Sequence, residues 1–531
     1  MANATEQVDL VLGVDDDDSD AALRRLVARK LKVAHSDVPS LYLLRRSIDA
    51  RRGRVHLCLS LQLGGQDPQL ALGEPLPRTV RPAAPVIIVG DGPAGLFCAY
   101  ELARREIACV VLDRGKPVQP RRHDLKGLNQ HGRVDDDSNY CFGEGGAGTY
   151  SDGKLYTRAT KRGDVRDILA TLVLHGAPPE VLTDARPHIG SNKLPKVVTA
   201  LRERLESCGV EFRFGARVTE IVVEAKGGKR RATGVRLADG VELAGRAVVL
   251  ATGHSARDVW RMLHDVGAPL EAKPFALGVR LEHPQPLINE VQYGKAAGHP
   301  KLPNAYYRLA ETVDDRGVFS FCMCPGGFVV PAATEAGGLV VNGMSLSRRD
   351  SPFANSGFVV SVEPGDAAAR FGDDLFAGVR LQEAIEQAAW IAGGGGLRAP
   401  ATRMSDFLEG RGSQSVPKTS YQPGLFATDL RPVLDASGYR VAHRIREALV
   451  AIGTRMPRFL TEEAVLIGVE SRTSAPIRVV RDKDSRMSPS VDGLFPCGEG
   501  AGFAGGIVSA AIDGVGTARS VAQRLASHSK G

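Results

Sequence analysis

Apolar and polar residues alternate most cleanly between residues 54 and 63. Val55, Leu57, Leu59, Leu61 and Leu63 share one face, and His56, Cys58, Ser60 and Gln62 share the other. A period of two predicts a strand with one buried side. Residues 8–14 and 41–48 read as two further strands. Leu23, Leu26, Val27 and Leu31 recur at helical spacing. They follow an acidic run from Asp15 to Asp20, in which Ser19 and Asp20 suit a helix cap. Residues 1–64 therefore form a small β-α-β-β module. Pro68, Pro75, Pro77, Pro82 and Pro85 mark residues 65–84 as a linker.

Beyond residue 85 the pattern changes from alternation to short unbroken apolar runs, the mark of strands buried on both faces. Such runs occur at 86–89, 107–112 and 247–250. Residues 116–160 look irregular and Gly-rich. Residues 195–208 read as an amphipathic helix, 210–214 as a short strand, and 217–243 as a meander with glycine turns. The expected division is a first nucleotide-binding part at 85–267, an inserted α+β domain at 268–465 opening on a strand near 271–283, and a second nucleotide-binding part at 466–531. The last part ends in an Ala-rich helix running to about residue 525.

The densest chemistry lies in Val86-Ile-Ile-Val-Gly90-Asp-Gly92-Pro93-Ala94-Gly95. A buried strand, a G-x-G-x-x-G turn and an immediate helix form the dinucleotide-binding arrangement of a Rossmann-like unit. Gly90 serves the tight turn, Gly92 the approach of a pyrophosphate, and Gly95 the contact of helix with strand. Pro93 suits the first helical position. The free N–H groups of that helix would face the phosphates. Asp113, ending the second apolar strand, is placed to accept ribose hydroxyls. Arg114 beside it weakens the argument against a 2′-phosphate.

Two later segments point to FAD. Val218 belongs to the meander, which leads to Ala251-Thr252-Gly253. That element resembles one in flavoproteins of the two-dinucleotide type. Gly498-Glu499 follows an apolar strand where those proteins carry Gly-Asp, whose carboxylate holds the ribityl chain; Glu is one methylene longer. Gly505-Gly506-Ile507 then starts a helix whose positive end would stabilise the reduced flavin. A second formal match, Gly143-Glu-Gly145-Gly-Ala-Gly148, follows a polar, acidic stretch. It is read instead, with Thr149, as a flexible loop over the flavin or its pyrophosphate.

The long motifs at 141–155, 188–196, 321–327 and 497–507 resemble the large, largely uncharacterised FAD-dependent dehydrogenase family of bacteria, which has plastid relatives. The resemblance covers about residues 80–531 and extends to the N-terminal module. It implies an FAD-binding oxidoreductase with a split nucleotide-binding domain and leaves the substrate open. No second dinucleotide fingerprint is present. NAD(P)H would act as a transient reductant without its own domain, or another protein would donate electrons.

Composition adds limits. The chain has 531 residues and a net charge of +7, mild for its length. No apolar run reaches the roughly 18 residues of a spanning helix. The first residues lack the pattern of a secretory signal. Eight scattered cysteines fit a reducing cytoplasm better than a disulfide framework. No metal set is spaced for binding. Cys322 and Cys324 read first as small apolar residues before a turn, and second as a redox pair. Glu470-Ser-Arg472 is either an anion site or a surface ion pair. His188, Asp152 and Lys154 are loop candidates for cofactor contact, without assigned acid or base roles. Arg24, Arg25, Arg29, Lys30 and Lys32, with Arg45, Arg46, Arg51, Arg52 and Arg54, give the module a basic side. Tyr42 is its lone aromatic residue, so a solvated or partner-docking face is favoured over RNA. The expected function is an FAD-dependent oxidoreductase acting on an unidentified small molecule. The alternatives are an RNA-modifying flavoprotein and a non-catalytic flavin-binding factor.

Overall fold

A computed structural model describes residues 6–68, 76–77, 84–157 and 161–528. Most of the Pro-rich stretch, 69–75 and 78–83, lies outside them. The N-terminal module is a three-stranded antiparallel sheet with His56–Leu63 between Glu6–Gly13 and Leu41–Asp49. The helix Asp20–Leu31 covers one face, and the Ser19 hydroxyl accepts the Ala22 N–H at its start. Val8, Leu10, Leu12, Val27 and the alternating Leu57, Leu59, Leu61 and Leu63 make its core.

The module is joined to the rest of the chain by backbone and charge. Arg46 N–H donates to Thr183 O at 2.8 Å, and Ala185 N–H donates to Arg46 O at 2.9 Å. Asp18 pairs with Lys301 at 3.0 Å and Asp15 with His299 at 3.3 Å. The acidic run thus has a structural partner. Several of the basic residues are answered inside the module, as in Arg24–Asp20, Arg25–Asp17 and Arg51–Asp49.

At the centre is a five-stranded parallel sheet. Its order is Leu494–Pro496, Ala247–Leu250, Val86–Val89, Cys109–Leu112 and Glu211–Arg213. Strand alternation divides its side chains between two cores. Val86, Ile88, Cys109, Val111, Ala247 and Val249 face the helices Pro93–Arg104, Leu194–Ser207 and Ile507–His528. Ile87, Val89, Val110, Leu112, Val248 and Leu250 face the meander of Val218–Lys226, Lys229–Leu237 and Glu242–Ala244, together with Trp260. Burial on both faces explains why these strands read as unbroken apolar runs.

The second domain carries a seven-stranded sheet. Its order is Ala310–Val313, Arg316–Cys324, Phe353–Val362, Phe275–Pro284, Val465–Glu470, Ala399–Arg403 and Leu425–Ala427. All neighbours are antiparallel except the last two. The helices Ala377–Ala392 and Val441–Arg455 share its apolar core. Two sequence expectations need correction here. Val465–Glu470 pairs inside this sheet, so the chain returns to the unit of the five-stranded sheet only after Glu470, not at 466. Residues 116–160 are not irregular throughout, because Val118–His131 is a helix. Its polar residues, spread around most of its surface, hid it from periodicity.

A buried ionic group staples the two domains. Arg257, on the helix Arg257–Asp265, donates to Glu386 at 2.9 and 3.1 Å. Arg472 donates to the same carboxylate at 2.9 and 3.1 Å, and the Ser471 hydroxyl at 2.7 Å. Glu470 pairs instead with the fully buried Arg280 at 2.6 Å. Glu470-Ser-Arg472 is therefore neither an anion site nor a surface pair; both charges are satisfied internally. Although burial opposes its charge, Arg257 and Arg472 hold Glu386 down to about 2, from an ordinary 4.5. A depressed carboxylate stabilises the fold above its unfolded pKa, and that stability is lost as pH falls through the folded value. Stability is thus expected to decline between about pH 4.5 and 2. Glu386→Gln is expected to cost about 3–5 kcal/mol at neutral pH and to flatten this acid limb in pH-resolved thermal denaturation. An unchanged acid limb would contradict the assignment.

Candidate functional site

The site grows from the turn after Val86–Val89. Gly90 has φ of +104°, and a Cβ there would lie 2.3 Å from Ala251 O. A Cβ on Gly95 would lie 1.9 Å from Gly90 O. These two glycines let the strand end, the helix Pro93–Arg104 and the 251–253 turn touch through backbone atoms. Gly92 differs: its Cβ would meet only Gly146 Cα, at 4.0 Å. A side chain at Gly92 would thus enter open space at the N-terminus of a helix with Pro93 in its first turn, the kind of place that suits an anionic group.

Asp113 is buried and fixed by two backbone donors, Asp91 N–H at 3.0 Å and Gly115 N–H at 2.8 Å. Its carboxylate faces the cavity with lone pairs left for ribose hydroxyls. Arg114 is committed elsewhere. It pairs with Asp137 at 2.7 Å and Asp258 at 3.1 Å, and lies over the Phe142 ring. Asp137 and Asp258 are paired in turn with Arg217, at 3.6 and 3.3 Å. Asp91, between the glycines, is fully buried with no hydrogen-bond partner for either carboxylate oxygen. Burial, then Asp113, raise its pKa well above the usual range, toward the neutral form.

A cavity of about 520 Å³ runs from this turn to the second domain. Among the residues nominated from sequence, Gly90, Gly92, Pro93, Ala94, Asp113, Arg114, Gly148, Val218, Ala251, Thr252, Gly253, Glu499, Gly505, Gly506 and Ile507 line it. Three do not. Gly95 is packed beneath the turn. Thr149 is fully buried and turns its hydroxyl to Glu144 O at 2.7 Å. Gly498 points its N–H away, to Asp513 Oδ2 at 2.8 Å. Asp513, held by Arg481 and Arg486 at 2.7 and 2.6 Å, therefore sets the turn that delivers Glu499. Sequence reading passed over Asp513, whose only signal is an acid on an Ala-rich helix. Glu499 is half-buried, and desolvation lifts its pKa to about 7.

The glycine loop 143–148 lies against the first turn and is not loose. The fully buried Arg121 donates to the carbonyls of Asn139, Tyr140, Glu144 and Gly146 at 2.8–3.0 Å. Glu144 accepts from Val118 N–H at 2.6 Å and Arg202 at 2.8 Å. One guanidinium thus gathers the loop, and Gly146, Ala147 and Gly148 line the cavity beside Gly92. Arg121 was invisible because its helix gave no periodic signal.

The far end of the cavity is charged. Asp152 pairs with Lys154 at 2.8 Å and Arg349 at 2.6 Å. The two cations hold its carboxyl below the usual range despite burial. Asp152 also accepts a hydrogen bond from the Ser345 hydroxyl. Lys154 reaches Cys324 Sγ at 3.3 Å and Cys322 Sγ at 3.7 Å. Asp152, Lys154, Phe321 and Cys322 line the cavity, whereas Cys324 lies behind Cys322. His188 does not line it; its ring bonds Ser347 O at 3.2 Å, and burial, then Arg349, depress it to about 4.

A family model described as "FAD-dependent protein, C-terminal domain-like" matches residues 274–473. Those bounds enclose the seven-stranded sheet. A domain of unknown function, DUF8436, matches residues 4–63. An "uncharacterized protein" of Clostridium beijerinckii is 38% identical over 535 residues, covering 97% of this chain and 98% of its own. The chain belongs to this family of FAD-dependent proteins. FAD is its cofactor, and the cavity's free space over Gly92, acceptor at Asp113 and helix N-terminus at Gly505–Ile507 fit that molecule. Among solved structures, CtdE in complex with FAD is 13% identical with a TM-score of 0.33, covering 83% of this chain and 85% of its own. The flavin-dependent brominase Bmp2 is 13% identical with a TM-score of 0.36, covering 83% and 79%. Thermovibrio ammonificans THI4 is 17% identical with a TM-score of 0.25, covering 35% and 63%.

Two outcomes follow for the cofactor. Gly92→Val places a side chain where the pyrophosphate belongs, and the purified variant is expected to lose FAD while keeping its fold by circular dichroism; normal flavin content would refute the placement. Arg121→Met leaves four backbone carbonyls without their donor. It is expected to lower stability by about 3 kcal/mol, read as a fall in thermal midpoint, and an unchanged midpoint would contradict the cradle.

Proposed function

We propose that the chain is an FAD-dependent oxidoreductase of the dehydrogenase kind. The observation that carries this reading is the single cavity joining the cofactor turns to the charged wall at Asp152, Lys154 and Cys322. Bound FAD supplies two-electron redox chemistry. Asp113 and the 251–253 turn hold the nucleotide half, and Glu499 holds the chain that links it to the ring. The N-terminal N–H groups of Ile507–His528, preceded by Gly505 and Gly506, place positive potential at the site. That potential favours an anionic reduced cofactor. Lys154 and Arg349, half-balanced by Asp152, leave a cationic excess that suits an anionic or polar substrate.

The reductant is proposed to be NAD(P)H docking transiently, or an electron-transfer protein. The work is proposed to take place in the cytoplasm; among the described residues no helix is long and apolar enough to cross a membrane. Backbone pairing through Arg46 and the internal ion pairs favour a docking role for the N-terminal module over RNA binding.

Anaerobic mixing with NADH and with NADPH, followed by flavin absorbance, tests the reading. Bleaching of the bound flavin by one of them, about tenfold faster than by the other, is the expected result. A purified protein that holds FAD yet is reduced by neither nucleotide nor any dithiol would leave a non-catalytic flavin binder instead.

A further inference from the structure

We propose that Cys322 and Cys324 form a dithiol–disulfide couple that relays two electrons between the flavin and a dithiol substrate. The inference rests on the oxidoreductase reading and gives that site its substrate class.

Four observations support it. Cys322 lines the cofactor cavity and is half-exposed there, with Cys324 buried behind it. The strand Arg316–Cys324 loses register between Phe321 and Cys324, and Cys322 sits at φ of +45°. A non-glycine residue in that region is strained, and strain of this kind collects at functional sites. The irregularity breaks the flat i, i+2 spacing that otherwise keeps two strand cysteines near the limit for bridging. The Lys154 ammonium lies within 3.3 and 3.7 Å of the two sulfurs. Arg280 reaches Cys324 Sγ at 3.6 Å and Cys322 O at 2.9 Å.

The charged groups around the pair come from several elements. Lys154 and Arg280 favour a thiolate, while Asp152, Glu470 and Glu499 oppose it, the first two being paired with those cations. The Cys324 thiol donates to Cys322 O at 3.3 Å; its closeness, with the two cations and against burial, draws Cys322 below the ordinary thiol range, while Cys324 is raised. The sulfur that lines the cavity is thus the one drawn toward the thiolate, and the buried one toward the thiol. That is the polarity needed for exchange with a substrate arriving through the cavity.

The step balances. In the reduced protein a sulfur–sulfur bond forms between Cys322 and Cys324, and the Cys324 S–H bond breaks. Two electrons and that proton pass to oxidised FAD, giving its reduced anion. A dithiol substrate then exchanges with the new disulfide, leaving as a disulfide and restoring both thiols. This half-reaction reduces one FAD for each dithiol oxidised; turnover passes the electron pair from the reduced cofactor to NAD(P)+ or to the electron-transfer protein, each acting in its accepting direction.

The test uses the FAD-loaded protein. After oxidation with diamide, digestion and mass spectrometry should show the peptide carrying Cys322 and Cys324 two hydrogens lighter and closed to alkylation. Free alkylation of both cysteines would overturn the couple. Under anaerobic conditions dithiothreitol, as a small dithiol, or a reduced two-cysteine peptide, as a protein donor, should bleach the flavin; the faster of the two identifies the source. Cys322→Ser and Cys324→Ser should each slow bleaching by about 100-fold, with flavin content checked by heat release. Wild-type rates in both variants would overturn the proposal. Lys154→Met keeps both thiols and should slow alkylation of Cys322 near pH 7 by about tenfold; no change would count against it. Bleaching by NADH or NADPH with inert thiols would remove the couple and leave the oxidoreductase reading intact. A protein without FAD would remove both.

Discussion

Three stretches of backbone meet at the end of the strand Val86–Val89 with no side chain between them. Gly90 lies against the carbonyl of Ala251, and Gly95 against the carbonyl of Gly90. That contact fixes the start of the helix Pro93–Arg104 relative to the sheet, and so fixes where its free N–H groups point. Everything else in the cofactor site is placed from this crossing. Asp113 bonds the backbone of Asp91 within the turn, and the 143–148 loop rests on Gly92 through Gly146. The final helix reaches the same cavity at Gly505–Ile507.

Around that backbone crossing, the molecule uses buried charge to hold irregular segments. Arg121 gathers the glycine loop through four carbonyls. Glu386 ties Arg257 of one domain to Arg472 at the exit of the other. Asp513 holds the turn before Glu499. In each case a side chain with fixed, multiple bonding capacity satisfies backbone or charge that the loop cannot satisfy alone. Loops held this way keep their shape without an apolar core of their own. Preorganisation of this kind lets the cavity present its groups at set positions.

The same device turns the cavity's far end into something chemically distinct. Lys154 is balanced by Asp152 and Arg280 by Glu470, yet Lys154 reaches the sulfurs of both Cys322 and Cys324, and Arg280 reaches that of Cys324. The seven-stranded sheet contributes the cysteines and Arg280, while the nucleotide-binding unit contributes Asp152 and Lys154. The charged, sulfur-bearing wall therefore exists only where the two domains meet. The Glu386 staple acts on the same domain junction.

Short-range pattern carried much of the fold. Unbroken apolar runs at 86–89, 109–112 and 247–250 revealed doubly buried strands, because burial on both faces leaves no polar position. Alternation at 56–63 revealed a strand with one wet face. That the glycine turn, Asp113 and Gly505–Ile507 line one cavity was legible because each sits at a strand–turn–helix junction, where residue type and spacing are fixed. What the sequence could not express was partnership across distance. The helix Val118–His131 has little apolar periodicity, since its chief task is to carry Arg121 into a loop. Val465–Glu470 reads as an ordinary apolar strand, and only hydrogen bonding to Phe275–Pro284 assigns it to the second sheet. Cys322 and Cys324 read from sequence as small apolar residues first and a redox pair second, and only the tertiary structure shows Lys154 beside them. Local chemistry determined what binds at the first turn. Long-range packing decided which charges meet, because electrostatic and thiol chemistry depend on distances that no spacing along the chain records.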